Sequence, residues 1–189
     1  MHLDRNFLLG KAYAIAPYIL GLTLNRQLPN GDILSYQIIE VEAYSTDDPA
    51  CHAYKGRTPR SEVMFGMPGI AYVYMIYGMY YCLNIVCEPE HTPGAVLIRA
   101  LDNHKANGPG KLCKVLNITK EFNKIDLLNP LSNLWLSQES DYANKSNCIE
   151  QSQRIGIKSG LDKPWRFFYK NHPNVSQAKG IKSKNLVIL

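Results

Sequence analysis

Three side chains suited to acid–base or stacking chemistry lie on one face of a predicted strand at residues 38–44. Alternate residues of a strand point to opposite faces, so Glu40, Glu42 and Tyr44 share a face with Ile38, and the apolar face opposite suits a core. Two nearby carboxylates raise each other's pKa, which suits one of them to act as a general base. The alternative interpretation is a strand whose alternating glutamates are simply solvated.

A second segment is unusually rich in tyrosine. Five of the twelve tyrosines fall between positions 72 and 81: Tyr72, Tyr74, Tyr77, Tyr80 and Tyr81. Each buried phenol needs a hydrogen-bond partner, so some of these rings should face a partly wet surface, where tyrosine can stack on nucleobases. Gly78 permits a sharp turn, which would place Tyr77 at a hairpin tip, where it could enter a duplex as a wedge. An aromatic hairpin packed on itself explains this segment equally well.

Two further candidates are His52 and Arg99. His52 lies in a long loop at residues 47–69, and loops of that length in compact domains are often functional. A lone histidine is also commonly a surface or structural residue. Arg99 lies in the apolar strand VLIRAL, so it must face outward or find a buried partner, and Glu42 is the natural one.

The elements that position these residues follow from periodicity and turn signals. Residues 4–21 predict a helical segment that contains Pro17 and stops near Gly21. Strands are predicted at 33–44, 70–77, 80–87, 94–101 and 165–169, and a short helix near 110–117. A basic tail follows the last strand, and we find no boundary between domains.

Composition limits the function classes. The chain has 189 residues, 46% hydrophobic and 20% charged, which excludes a disordered or fibrous protein. No apolar run approaches the ~18 residues of a membrane span. The five cysteines have no CxxC spacing and resemble reduced, mostly buried thiols rather than ligands of a zinc or iron–sulfur site.

Charge is divided unevenly along the chain. Residues 1–100 hold 7 Lys and Arg against 9 Asp and Glu, whereas residues 101–189 hold 14 against 7. A net of +7 in the second half favours a polyanionic partner through counterion release at phosphates. A solvated basic surface is the other interpretation.

Taken together, these segments resemble the alkyladenine (3-methyladenine) DNA glycosylase family. The resemblance spans nearly the whole chain in the family's order, and its first four stretches carry most of the specificity. The matching stretches are 39–44 (IEVEAY), 48–58 (DPACHAYKGRT), 64–69 (MFGMPG), 71–84 (AYVYMIYGMYYCLN), 96–101 (VLIRAL), 108–113 (GPGKLC), 154–157 (RIGI) and 164–168 (PWRFF).

The resemblance implies that a damaged purine is flipped out of duplex DNA and its N-glycosidic bond hydrolysed. Glu42 matches the general base that activates water, and Arg99 the residue that positions Glu42 and that water. Tyr77 matches the side chain that fills the gap left in the base stack. Met79 and Tyr80 are the neighbouring candidates for widening the minor groove.

The same resemblance assigns four residues to the flipped base. Tyr44 matches an aromatic that stacks on the base, and Tyr74 a pocket aromatic. His52 matches a residue that hydrogen-bonds and packs against the flipped nucleotide, and Asn84 one that rejects guanine by crowding its amino group. Glu40 stays outside the catalytic set: it tunes the field, faces the sheet edge or is solvated.

From this resemblance we expect a single α+β domain over residues 1–189, with a curved, mainly antiparallel sheet flanked by helices and long loops. We expect a monomer that acts on damaged double-stranded DNA, with no metal or other cofactor and no membrane partner, in the cytoplasm at the nucleoid or in a nucleus. No amine nucleophile is identifiable, which favours a monofunctional hydrolase over a lyase. The sequence leaves alkylated purines, hypoxanthine and ethenoadenine open as substrates.

The sequence departs from the family pattern at Pro17, Ser61 and Asn117, none of which matches a position assigned to chemistry. Two other functions compete with the glycosylase. A non-catalytic nucleic-acid-binding module would gain little from a carboxylate near phosphates. A small-molecule hydrolase with Glu40 and Glu42 as an acid–base pair would not explain the tyrosines or the basic half.

Overall fold

The fold is taken from a computed structural model, which describes residues 3–138 and 148–176 and the backbone of 183–185. Within that part, two α-helices and nine strands follow one another in the chain. They are α1 (Ala12–Ile19), β1 (Thr23–Gln27), β2 (Ile33–Ser45), β3 (Ala71–Ile76), β4 (Tyr80–Cys87), β5 (Gly94–Leu101), α2 (Pro109–Val115), β6 (Leu134–Ser137), β7 (Ile149–Ser152), β8 (Arg166–Tyr169) and β9 (Ser183–Asn185). Short 3-10 helices occupy Arg5–Leu8, Glu62–Phe65 and Lys120–Phe122.

The strands form a curled antiparallel sheet in the order β3-β4-β5-β2-β8-β7-β9, with β1 joining β2 to β6. The 13-residue β2 is its centre: the first half pairs with β1, and the second half pairs with β5 on one side and β8 on the other. This confirms the expected single α+β domain with a curved antiparallel sheet. Among the described residues, no helix is long and apolar enough to cross a membrane.

The main core lies on one face of the sheet. Helix α1 packs there against β2 and β5, and helix α2 packs against β4 and β5, over core residues such as Val41, Leu83 and Val96. A smaller apolar cluster, which includes Cys51, Met64 and Tyr72, lies under the 47–69 loop. The sheet therefore has one face for the core and another available for a site.

Several predicted elements differ from the structure. The helix expected over 4–21 is divided into the 3-10 turn Arg5–Leu8 and α1, which ends at Ile19 before Gly21 at φ +88°. Strand β1 was not predicted because its sequence, TLNRQ, is mostly polar, yet four of its five residues are buried. Its polar groups are satisfied instead: Asn25 Nδ2 donates to Ser137 Oγ at 2.9 Å and Arg26 Nε to the Leu116 carbonyl at 3.1 Å.

The three departures from the family pattern have local structural roles. Pro17 is buried within α1. Ser61 is fully buried and its hydroxyl accepts from the Thr58 N–H at 2.9 Å and donates to the Gly56 carbonyl at 3.2 Å. Asn117 follows α2 at φ +49°, a left-handed conformation that asparagine tolerates better than most residues with a side chain. The cysteines are free and four of the five are buried, as expected.

Candidate active site

Four adjacent strands deliver alternate side chains to one cavity of about 500 Å³ on the face opposite the main core. Seven of the nine residues assigned from the sequence line this cavity: Glu42, Tyr44, His52, Tyr74, Tyr77, Asn84 and Arg99. Met79 and Tyr80 are not among the lining residues. The alternation that buries Val41 and Ala43 in the core thus directs Glu42 and Tyr44 into the cavity.

The floor of the cavity is a straight row across the sheet. Tyr72 pairs with Asn84, Asn84 with Leu97, and Leu97 with Glu42, each on the neighbouring strand. The Asn84 side chain is buried, and its Nδ2 donates to the Tyr72 backbone carbonyl at 3.0 Å. Strand register therefore fixes the distance from the tyrosines of β3 to the carboxylate of β2.

A bulge in the pairing of β2 with β5 directs the Arg99 side chain toward the cavity. Val41 pairs with Ile98 and Glu40 with Ala100, so Arg99 has no direct partner on β2. Bulges of this kind re-aim side chains and are frequent beside active sites. The expected contact is present: Arg99 Nη1 lies 3.2 Å from Glu42 Oε2.

A second irregularity corrects the predicted faces of β2. Ile38 was expected on the face of the two glutamates, but it is fully buried in the main core beside Ile39. The pairing steps from Ile38 opposite Leu101 to Glu40 opposite Ala100, so one residue is inserted in β2 and the alternation is interrupted there.

Glu42 is fully buried and held by three donors. Its Oε1 accepts the Ile155 N–H at 2.6 Å, and its Oε2 accepts the Tyr44 hydroxyl at 2.9 Å as well as Arg99. Burial and the Glu42 charge raise the pKa of Tyr44 well above its usual value, so its hydroxyl stays protonated and donates. A carboxylate offers about four acceptor positions, so in the described structure Glu42 keeps room for one further donor, such as a water.

Glu40 has a different environment, although it is equally buried. It does not line the cavity. Its Oε1 accepts from Arg99 Nε at 3.1 Å, Arg166 Nε at 2.7 Å and Ser176 Oγ at 2.7 Å, and its Oε2 accepts the Ser176 N–H at 2.7 Å. The interpretations in which Glu40 is solvated or faces a sheet edge are therefore wrong.

His52, Tyr72 and Tyr74 form an aromatic cluster that lines the β3 side of the cavity. His52 Nδ1 lies 2.9 Å from the Tyr72 hydroxyl, and the His52 ring meets the Tyr74 ring edge-on at 4.7 Å. The Arg60 guanidinium lies over the Tyr74 ring at 4.8 Å. His52 is exposed at the cavity mouth, but partial desolvation and the Arg60 charge lower its pKa to about 4, so the ring is neutral near pH 7. Burial raises the pKa of Tyr72 to about 12, which keeps that phenol neutral too.

The β3–β4 hairpin presents its tip to solvent, as the tyrosine segment predicted. Tyr77 is 87% exposed and sits at φ +51°, followed by Gly78 at φ +68°. Both residues are left-handed, and the turn closes with the Met79 N–H donating to the Ile76 carbonyl at 3.2 Å. Tyr80 packs instead on α2, where a Cβ at Gly110 would lie 3.0 Å from the Tyr80 Cβ.

Sequence reasoning missed the segment 155–159, which forms another wall of the cavity. Arg154 anchors it: its two terminal nitrogens, Nη1 and Nη2, donate to Asp48. Nη1 also donates to the Ala43 carbonyl at 2.9 Å, and Nη2 to the Gly160 carbonyl at 3.2 Å. Arg154 and Asp48 are both fully buried. We call this pair the clamp; the motif RIGI marked its position, but its partner lies 106 residues earlier.

The described residues contain no group of three or more His, Cys, Asp or Glu side chains that could hold a metal ion. The chemistry available in the cavity is that of a buried carboxylate, a guanidinium and neutral aromatic walls. Such a set can activate water and stabilise a positive charge.

Comparisons with known proteins agree on one family. The family described as methylpurine-DNA glycosylase matches residues 6–173. A protein of Trichodesmium erythraeum (strain IMS101) is 42% identical over 184 aligned positions, and the match covers 86% of this chain and 91% of the relative. A protein of Wolbachia sp. subsp. Brugia malayi (strain TRS) is 50% identical over 171 aligned positions, and the match covers 87% of this chain and 95% of the relative. A protein of Bacillus cereus (strain AH187) is 38% identical over 205 aligned positions, and the match covers 94% of this chain and 100% of the relative. Each of these relatives bears the name "Putative 3-methyladenine DNA glycosylase".

Proposed function

This chain belongs to the methylpurine-DNA glycosylase family and is a DNA glycosylase, and on that premise we propose which base it removes and how. It flips a damaged purine out of duplex DNA into the cavity and hydrolyses the N-glycosidic bond, which initiates base excision repair. The observation that carries this proposal is Glu42, a buried carboxylate held by three donors on the cavity wall.

In the proposed reaction, Glu42 accepts a proton from a water whose oxygen bonds to C1′ of the sugar. The C1′–N9 bond breaks, and its electron pair leaves with the purine. Positive charge develops on the sugar, and the Glu42 carboxylate stabilises it. Arg99 and the Ile155 N–H hold the carboxylate in one orientation, so little reorganisation is needed.

The walls of the cavity support a methylated purine as the substrate class. A 3-methyladenine or 7-methylguanine base is cationic, which suits the electron-rich rings of Tyr44 and Tyr74. Such a base is a good leaving group and needs little acid assistance. Hypoxanthine or ethenoadenine is neutral and needs protonation as it leaves, so its excision should depend more on the site. In this proposal Asn84, fixed by its bond to the Tyr72 carbonyl, rejects guanine by crowding the 2-amino group. 7-Methylguanine carries the same group, so its removal depends on its cationic charge, which makes it a good leaving group.

The hairpin tip and the basic half of the chain support duplex DNA as the partner. Tyr77 is exposed beside the cavity, where it could occupy the gap in the base stack, and Met79 and Tyr80 stay candidates for contacts with the minor groove. The excess of lysine and arginine after residue 100 suits phosphate contacts, so binding should weaken with salt.

The test measures single-turnover excision from labelled duplexes that contain hypoxanthine or ethenoadenine and, in parallel, from alkylated DNA. We expect wild-type protein to leave an abasic site that breaks only after alkali treatment. Glu42→Gln should slow excision by about 10²-fold or more, the typical contribution of a general base, while DNA binding persists. Glu62→Gln, at an exposed carboxylate paired with Arg57, is the matched control and should excise normally. Near-wild-type turnover by Glu42→Gln would overturn the assignment of the base.

A further inference from the structure

Glu40 is a buried charge beside the cavity that the proposed mechanism does not use. We propose that Glu40 is a positioning residue, which holds Arg99 against Glu42 and neutralises the guanidinium next to the sugar on which positive charge develops. This inference rests on the proposed function of Glu42.

The geometry divides Arg99 between the two carboxylates. Its Nε donates to Glu40 at 3.1 Å and its Nη1 donates to Glu42 at 3.2 Å. Glu40 therefore holds the Nε side of the guanidinium, while Nη1 reaches the carboxylate on the cavity wall. The carboxylate of Glu40 is itself fixed by Arg166 and by two bonds from Ser176.

The Glu40 charge reduces the electrostatic repulsion between Arg99 and the positive charge that develops in the reaction. A guanidinium beside a developing oxocarbenium ion, or beside a cationic methylpurine, opposes both by repulsion. Glu40 and Glu42 together balance Arg99 and Arg166, so the buried group is neutral as a whole. The site thereby keeps the guanidinium as a hydrogen-bond donor and loses most of its repulsion.

The groups that face Glu42 determine what removal of the Glu40 charge would do. They are Arg99 from β5, Tyr44 and Glu40 from β2, Cys82 from β4, and Arg154 and the Ile155 N–H from the segment after β7. Tyr44 and Cys82 both have raised pKa values through burial and stay neutral. Without Glu40, Glu42 would be the only carboxylate bonded to Arg99 in the described part of the chain, and the Arg154 charge would also act on it. The excess of positive charge around Glu42 would favour its charged form, so the carboxylate would accept a proton from water less readily.

The experiment compares single-turnover excision by wild type, Glu40→Gln and Glu40→Asp from pH 5 to pH 9. Glu40→Gln should lower the maximal rate by about tenfold or more. It should also move the acid limb, the part of the pH–rate profile where the rate falls toward low pH, down by about one pH unit, which is the lower end of the effect of a neighbouring charge. Glu40→Asp keeps the charge but shortens the side chain. It should leave the acid limb in place and lose rate by about threefold or more, because the bond to Arg99 Nε is broken.

The pH profile separates positioning from mere stabilisation. Asp126→Asn breaks the 2.7 Å ion pair between Arg5 and Asp126, neither of which lines the cavity, and should leave both the acid limb and the maximal rate unchanged. In an Arg99→Ala background, Glu40→Gln should change the rate by less than about twofold, because Glu40 acts through Arg99.

Three outcomes would overturn the proposal: a native rate and acid limb in Glu40→Gln, an equal loss in both backgrounds, or a loss of rate with an unmoved acid limb. Should Glu40→Gln fail to fold, Glu40→Asp decides, and a native rate in that variant would overturn the proposal as well. Absence of excision by wild type would instead contradict the proposed function itself.

Discussion

The clamp between Asp48 and Arg154 offers a sharp test of how this site is assembled. In Asp48→Asn, Arg154 loses its buried counter-charge but keeps the carbonyls of Ala43 and Gly160 as acceptors. Breaking a fully buried ion pair costs about 3–5 kcal/mol. An asparagine oxygen can still accept one hydrogen bond from the guanidinium, so we expect a loss of about 2–3 kcal/mol in the free energy of unfolding.

For a chain of this size, a loss of that magnitude lowers Tm by about 4–12 °C, which thermal unfolding measures directly. Excision should also slow at temperatures where the variant is folded, because the Ile155 N–H that follows Arg154 donates to Glu42. Glu62→Gln is again the control: it breaks an ion pair whose side chains are 48% and 46% exposed and should cost less than about 0.5 kcal/mol. A Tm for Asp48→Asn within the range of that control, with native excision, would refute the idea that the clamp holds the cavity wall.

Two further predictions concern the cavity mouth. Tyr77→Ala should weaken excision from duplex DNA much more than from single strands, because a wedge is needed only where a stack must be filled; an unchanged ratio of the two activities would exclude that role. His52, whose pKa is lowered to about 4, should not protonate as pH falls from 8 to 6, so His52→Gln should keep the position of the acid limb in a pH–rate profile. The same depressed pKa means that His52 contributes to stability fully above about pH 6.5, and that this contribution is lost as pH falls toward 4. An acid limb near pH 6.5 that disappears in His52→Gln would contradict this assignment.

Local pattern was enough to predict the strands that carry the site. Strands β4 and β5 occupy the predicted residues, because each is a mostly apolar run of eight residues that follows a turn, marked by Gly78 or by Pro93. The Glu42–Arg99 contact also followed from the sequence, since a charge in an apolar strand must find a partner. What depended on family resemblance was which residues would meet in one cavity.

The rest depends on partners that are distant in sequence. Nothing near Arg154 reveals that Asp48 lies beside it, 106 positions away, or that the 155–159 segment closes the cavity. Nor does the pattern at Ile38 reveal the inserted residue that moves it into the core, because a bulge is a property of two strands together. Strand β1 was missed for a related reason: its polar residues are buried only because β2, β6 and the chain after α2 supply hydrogen bonds.

Strands β2–β5 contribute side chains to both the core and the cavity, and this limits which insertions, deletions and substitutions the protein can accept during evolution. Apart from Ile76 beside the hairpin tip, every cavity residue of β2–β5 is adjacent in the chain to a residue of the core, so insertion or deletion of one residue would exchange the two sets of side chains. Substitutions at single cavity positions carry no such penalty. New base preferences should therefore arise by replacement of Tyr72, Asn84 or Leu97 in the row that ends at Glu42, while changes of length should accumulate in the loops, which leave the strand register intact.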